Sequence, residues 1–137
     1  MSVLVDSSVW IDFFNGHDSP EANTLAAYLQ SDTNIATCAP IMAECLCGFR
    51  LDKSYRQALV YFELMTHLTI QEPEDWVAAA DLYRRLRKQG VTVRSLIDCM
   101  IMRIAEVHDA HLLAKDRDMR LIIESGLVAV RSAPLLV

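Results

Sequence analysis

Glycine is scarce and scattered. The 137-residue chain has four glycines, too far apart to form a phosphate-cradling loop, which excludes nucleotide-binding folds built on one. Long apolar runs are missing as well. Charged residues interrupt every hydrophobic stretch well short of the roughly 18 residues that a membrane span requires. The opening Met1-Ser-Val-Leu-Val-Asp6 has neither the basic start nor the apolar length of a secretory signal. Cys45-x-Cys47 has no second Cys or His pair at zinc-finger spacing. With Cys38 and Cys99, these thiols read as buried, inert side chains suited to a reducing cytosol. Nothing pairs His17, His108 or His111 with a Ser or Cys nucleophile and an acid. Excess positive charge is also lacking. Thirteen basic against 18 acidic residues give a net charge of −5, which excludes coating of nucleic acid by a generally basic surface. A soluble cytoplasmic protein is expected.

What is present is an ordinary globular composition, 53% hydrophobic and 23% charged. It predicts one folded domain over 1–137 with a substantial core. Short apolar runs predict strands over 3–5, 35–38, 67–71, 112–114 and 127–130. Between them, helical spacing and start signals such as Asp6-Ser7-Ser8, Ser19-Pro20-Glu21 and Pro73-Glu74-Asp75 predict helices. These lie over 9–14, 20–29, 41–49, 52–65, 74–89, 96–105 and 116–124. Strands alternating with helices imply an α/β fold with a mainly parallel central sheet covered by helices. The Ser-Ala-Pro tail after Arg131 reads as loosely held. Trp10, Phe13 and Phe14, at helical spacing, read as core or dimer contacts.

Most acids, including Asp18, Glu21, Asp32, Glu63, Glu72, Glu74, Asp75 and Asp81, fall on helix starts or solvated faces and read as surface charge. A few do not. Glu44 is the lone charge between Cys38 and Phe49, and Asp98 is the lone charge between Arg94 and Arg103. Asp6 closes the first strand, while Asp116 and Asp118 follow a later one. Ligand sites in open parallel sheets form outside the carboxyl ends of the strands. Carboxylates converging there would repel one another and raise each other's pKa values, and a hard divalent cation such as Mg²⁺ or Mn²⁺ would relieve the strain. From the pattern alone, a metal site and separate helix-cap and ion-pair roles both remain open.

The spaced set Val-Leu-Val-Asp6-Ser-Ser-Val-Trp, Ala43-Glu44, Ser95-Leu-Ile-Asp98-Cys and Lys115-Asp116-Arg-Asp118 resembles a PIN domain, and specifically the VapC-type toxin ribonucleases. The resemblance covers essentially the whole chain. It implies a three-layer PIN-like sandwich and a catalytic acidic pocket of Asp6, Glu44, Asp98 and Asp116, with Asp118 as an auxiliary acid beside it. Asp6 and Asp98 would be the most direct Mg²⁺ ligands. Glu44 and Asp116 would act directly, through water or on a second ion, with Mn²⁺ a possible substitute metal. Ser7 and Ser8 would fix the turn around Asp6. The five acids account for the whole net charge of −5.

The implied chemistry is endonucleolytic hydrolysis of RNA by a metal-activated water, leaving a 3′-hydroxyl and a 5′-phosphate. Between Asp81 and Asp98 lie Arg84, Arg85, Arg87, Lys88 and Arg94, without an acid. The first four read as a solvated helix face; Arg94 and Arg117 are better placed to touch RNA. The resemblance also implies a homodimer and a cognate antitoxin. An antitoxin Arg would neutralise the acids, and its apolar tail would pack around Trp10 and Phe14. Two other readings compete: a non-catalytic PIN-like interaction module, and a phosphoryl-accepting receiver domain. The latter needs an adjacent acidic pair at the first strand, which this sequence lacks.

Overall fold

The computed structural model describes residues 1–136. Its elements run β1 (Ser2–Val5), α1 (Ser7–Phe14), α2 (Pro20–Leu29), β2 (Asn34–Thr37), α3 (Ala39–Leu46), α4 (Asp52–Glu63), β3 (Thr66–His67), α5 (Glu74–Lys88), α6 (Leu96–Val107), β4 (His111–Leu113) and α7 (Arg117–Glu124). The strands form one parallel sheet in the order β3-β2-β1-β4. Val3, Leu4 and Val5 are all fully buried. Because consecutive strand residues point to opposite faces, the sheet must be covered on both sides, which makes three layers. The α/β reading therefore holds. No helix among the described residues is long and apolar enough to cross a membrane.

The chain leaves β1 in one direction to build β2 and β3, then returns to β1's other side with β4. This reversal places a crevice outside the carboxyl ends of β1 and β4. Val5 registers with Leu113, and the Asp6 N–H donates to the Leu113 carbonyl at 2.9 Å. The residues that follow each strand are thereby held side by side.

Trp10 is fully buried, stacked on Phe14 at 5.5 Å and set edge-on to Phe62 at 5.4 Å. It belongs to the core and offers no surface of its own, so of the pair around which a tail is expected to pack, Trp10 contributes none of the contact surface. Phe13 and Phe14 are only partly buried.

Several boundary expectations are corrected. The strand expected over 127–130 does not form, because the Ala129 N–H donates to Glu106 Oε2 at 2.7 Å and not to a strand. A single bridge pairs Leu112 with Ser132, and Pro134 has no N–H with which to extend it. The tail is not loose. Ala133 is buried, the Tyr28 hydroxyl donates to the Pro134 carbonyl, and the Leu136 N–H donates to Thr24 Oγ1 at 2.9 Å. The third strand stops at His67 rather than Gln71. After Leu68 N–H reaches the Thr37 carbonyl at 2.8 Å, Thr69 and Gln71 turn to His108 and Asp75. Cys47 is exposed while the other three thiols are buried.

Asp75 is likewise no surface charge. It is 3% exposed, accepts from the Gln71 N–H at 2.8 Å and the Arg103 Nε at 2.9 Å, and is held below the usual carboxylate range by these two donors. The pair fastens α5 to α6. Asp75→Ala should cost about 2 kcal/mol, because the Gln71 amide and Arg103 both lose their acceptor. Chemical denaturation at neutral pH checks this. As the folded pKa is depressed, the wild-type advantage is full above the ordinary value of 3.8 and fades as pH falls through the lower folded value.

Candidate metal centre and active site

Each acid is positioned by local backbone chemistry. Asp6 caps α1, where it accepts from the Ser8 N–H at 3.3 Å and the Ser8 hydroxyl at 2.8 Å. Ser8 Oγ in turn accepts from the Lys115 N–H at 3.3 Å, stitching the turn after β1 to the turn after β4. Ser7 donates to Glu44 Oε1 at 3.3 Å, which ties α3 to the same edge. Asp116 caps α7 through the Asp118 N–H at 3.0 Å. Asp98 stands in the first turn of α6 behind the Ser95 cap. Both serines therefore fix acids in place, and Glu44 itself is exposed.

The acids converge. Asp98, Asp116 and Asp118 each offer a carboxylate oxygen, all within 4.8 Å of one another. Burial, followed by the negative charges of Asp116, Asp6, Asp118 and Glu44 in that order, pushes the Asp98 carboxyl up to about 7. Burial raises Asp6 too, against the opposing pull of Ser8, and Asp116 adds to the rise. Although Glu44 is exposed, partial desolvation of its carboxyl at the cluster's edge raises it, and the Asp6 charge adds to the rise. Among the described residues no hydrogen bond relieves the Asp98 carboxyl, although it is only 8% exposed. An acid-only donor set of this kind matches the oxygen preference of a hard divalent cation.

One cation already meets the cluster. Arg94 donates through its backbone N–H and Nε to Asp118 Oδ2, at 3.0 and 3.1 Å, and through Nη2 to Asp116 Oδ1 at 3.1 Å. These bonds hold Asp118 below the usual carboxylate range. Asp118 thus engages Arg94 as well as the acid cluster, a role that spacing did not suggest. Arg117 is exposed at the start of α7, without an ion pair among the described residues. Lys115, which the sequence motif includes without a role, reaches Asp12 through its Nζ at 2.9 Å and braces the loop after β4 against α1.

A cavity of about 540 Å³ lies elsewhere, between α2, α4 and β2. It is lined by Phe13, Leu29, Ile35, Tyr61, Leu64 and neighbours, none of them a carboxylate.

Residues 3–123 match the PIN domain. Ribonuclease VapC11 of Mycobacterium tuberculosis is 32% identical over 121 residues, 88% of this chain and 90% of that protein. Among solved structures, VapBC-1 from nontypeable Haemophilus influenzae has a similar fold, with a TM-score of 0.71 and 17% identity over 97% of each chain. Mycobacterium tuberculosis VapC20, described as a sarcin-ricin loop cleaving toxin, gives 0.61 and 18% over 94% of this chain and 98% of its own. With a PIN match from β1 to within one residue of the end of α7 and 32% identity to a VapC ribonuclease over 88% of the chain, it belongs to the PIN-domain family, among the VapC ribonucleases.

Proposed function

We propose that this PIN domain is a Mg²⁺-dependent endoribonuclease and the toxin of a toxin–antitoxin pair. The observation that carries this reading is Asp98, a buried, unbonded carboxyl on which four other acids bear. Asp6, Glu44, Asp98 and Asp116, with Asp118 beside them, would hold Mg²⁺, or Mn²⁺ in its place. When bound, the ion supplies Lewis-acid stabilisation of the phosphodiester and acidifies attacking water.

The chain's own residues prepare that chemistry. Ser7 and Ser8 fix Glu44 and Asp6. The helix N-termini of α6 and α7 favour negative charge at Asp98 and Asp118. Arg94 cancels part of the field that would repel a phosphate, and exposed Arg117 adds a cation at the rim. In the hydrolysis, a new P–O bond forms from water and the bond to the 3′ oxygen breaks. The products are therefore a 5′-phosphate and a 3′-hydroxyl. Sequencing of 5′ ends after brief expression should recover monophosphorylated termini at discrete RNA sites. Ends bearing 2′,3′-cyclic phosphate would indicate attack by the ribose and overturn this chemistry. Absence of cleavage with every divalent ion would leave an interaction module.

An antitoxin partner is supported by the likeness in fold to VapBC-1. An Arg on its tail would meet the same acids that Arg94 already meets. The apolar part of that tail would lie in the cavity lined by Phe13, Leu29, Tyr61 and Leu64 rather than on Trp10. A homodimer is favoured by the apolar residues that α4 and its entry leave in water, Leu51 at 68% and Val60 at 58% exposed. Sedimentation at micromolar concentration should give a dimer, and a monomer would refute it.

A further inference from the structure

We propose that the cavity between α5 and the loop leading into α6 is a nucleotide subsite, in which one unpaired base of the RNA substrate stacks on Tyr83 next to the phosphate being cut. The proposal rests on the ribonuclease reading and adds a surface that the carboxylate cluster does not contain. The cavity measures about 330 Å³ and is lined by Ala80, Tyr83, Arg84, Arg94 and Leu96. That volume lies at the small end of ligand clefts, which span about 300–1,000 Å³. It suits a nucleotide better than a protein helix.

The lining has the two components that single-stranded nucleic acid requires, an aromatic and apolar floor and a cationic rim. Tyr83, Ala80 and Leu96 make the floor. Arg84 and Arg94 make the rim, and the Arg87 guanidinium stands 5.8 Å from the centre of the Tyr83 ring, steadying it and adding positive charge. Asp81 lies one turn before Arg84, and no further acid follows until Asp98.

Arg94 joins this cavity to the cluster. It lines the cavity on one side while its Nη2 and Nε lie 3.1 Å from Asp116 and Asp118. The same residue thus touches the cavity and the acids. An RNA strand with a phosphate at the acids would lay its neighbouring nucleotide against Tyr83. The need for such a surface is electrostatic. A chain of net charge −5, whose acids crowd the reaction centre, must draw a polyanion with cations placed beside those acids. An unpaired base is implied because an aromatic platform reads the face of a splayed base, not a paired duplex.

The test uses the full chain, Mg²⁺ and a short fluorescein-labelled single-stranded oligoribonucleotide of mixed sequence. Anisotropy in an Asp98→Asn background reads binding, and cleavage by proteins with Asp98 intact reads kcat and KM. Tyr83→Leu keeps the apolar volume and should weaken binding and raise KM by about tenfold, with kcat within about twofold. Tyr83→Phe should behave as wild type. Arg84→Ala should weaken binding and flatten its salt dependence by about one phosphate contact. Arg84 is exposed, so its variant carries the test even if Tyr83→Leu fails to fold.

Unchanged RNA affinity in both variants overturns the subsite, whether or not the wild type cleaves. Unchanged affinity with lost self-association in sedimentation would overturn it in favour of a protein interface. Loss of binding in these variants, in a protein that cleaves no RNA, would leave a single-stranded RNA site at Tyr83 while overturning the nuclease reading and, with it, the placement beside a cut phosphate.

Discussion

Asp98→Asn should lower RNA cleavage by at least about a thousandfold, the scale of losing several kcal/mol of transition-state charge stabilisation. The same change should raise the melting temperature of the metal-free protein. The Asp98 carboxyl is pushed up to about 7 from 3.8, so the folded chain binds this proton more tightly than the unfolded chain. Wild-type stability from this group is therefore full below the ordinary value and declines as pH rises from about 4 to about 7. Asn resembles the protonated acid in shape and charge. Its benefit should thus be near zero at low pH and complete above the raised value, where it should reach on the order of 5 °C. Calorimetry at about pH 4 and pH 8, with cleavage measured on the same preparations, checks both parts. An Asn variant that is unfolded, or one that still cuts, would show that Asp98 is structural.

Removing divalent metal should have an effect of similar size on activity and the opposite effect on stability. Cleavage should fall to background in chelator and return with Mg²⁺ or Mn²⁺. Ca²⁺ should bind without restoring turnover, because its larger and looser coordination shell positions water poorly. At about 100-fold above its dissociation constant, a metal that binds only the folded state stabilises it by about 2.7 kcal/mol. The gain should be greater at pH 8 than at pH 5, since protons compete for Asp98, Asp6 and Glu44, all of which are raised. Asp98→Asn should lose most of it. Full cleavage in chelator by a contaminant-free preparation would refute the metal reading.

The acids gathered at the strand ends were legible for a simple reason. Asp98 and Glu44 are single charges in apolar helical runs, and Asp6 and Asp116 follow apolar strands, so each contradicts its surroundings. Asp75 was hidden because it sits beside Glu72 and Glu74 at a helix start, where acids are ordinary. Its partner Arg103 stands 28 residues away, and no local pattern connects them. Arg94 was found as a cation near the site, but its bonds to Asp116 and Asp118 depend on how the loop before α6 meets the start of α7. The apolar run over 127–130 looks like a strand in composition. What prevents one is Glu106, a side chain from another element, taking the Ala129 amide. In each miss a tertiary partner decided the outcome.

The position of β1 inside the sheet, with β4 as its late neighbour, also sets a clock on synthesis. A ribosome emits Asp6 among its first residues and Asp116 some 110 residues later. At roughly 5–20 residues per second, roughly 5–20 s separate the two. Throughout that interval β1 can pair with β2, yet its other edge stays open and Asp98 and Asp116 have no common edge on which to meet. The residues of the acidic edge are therefore distributed over nearly the whole message. A growing chain assembles that edge at once, near the end, when β4 slides in beside β1.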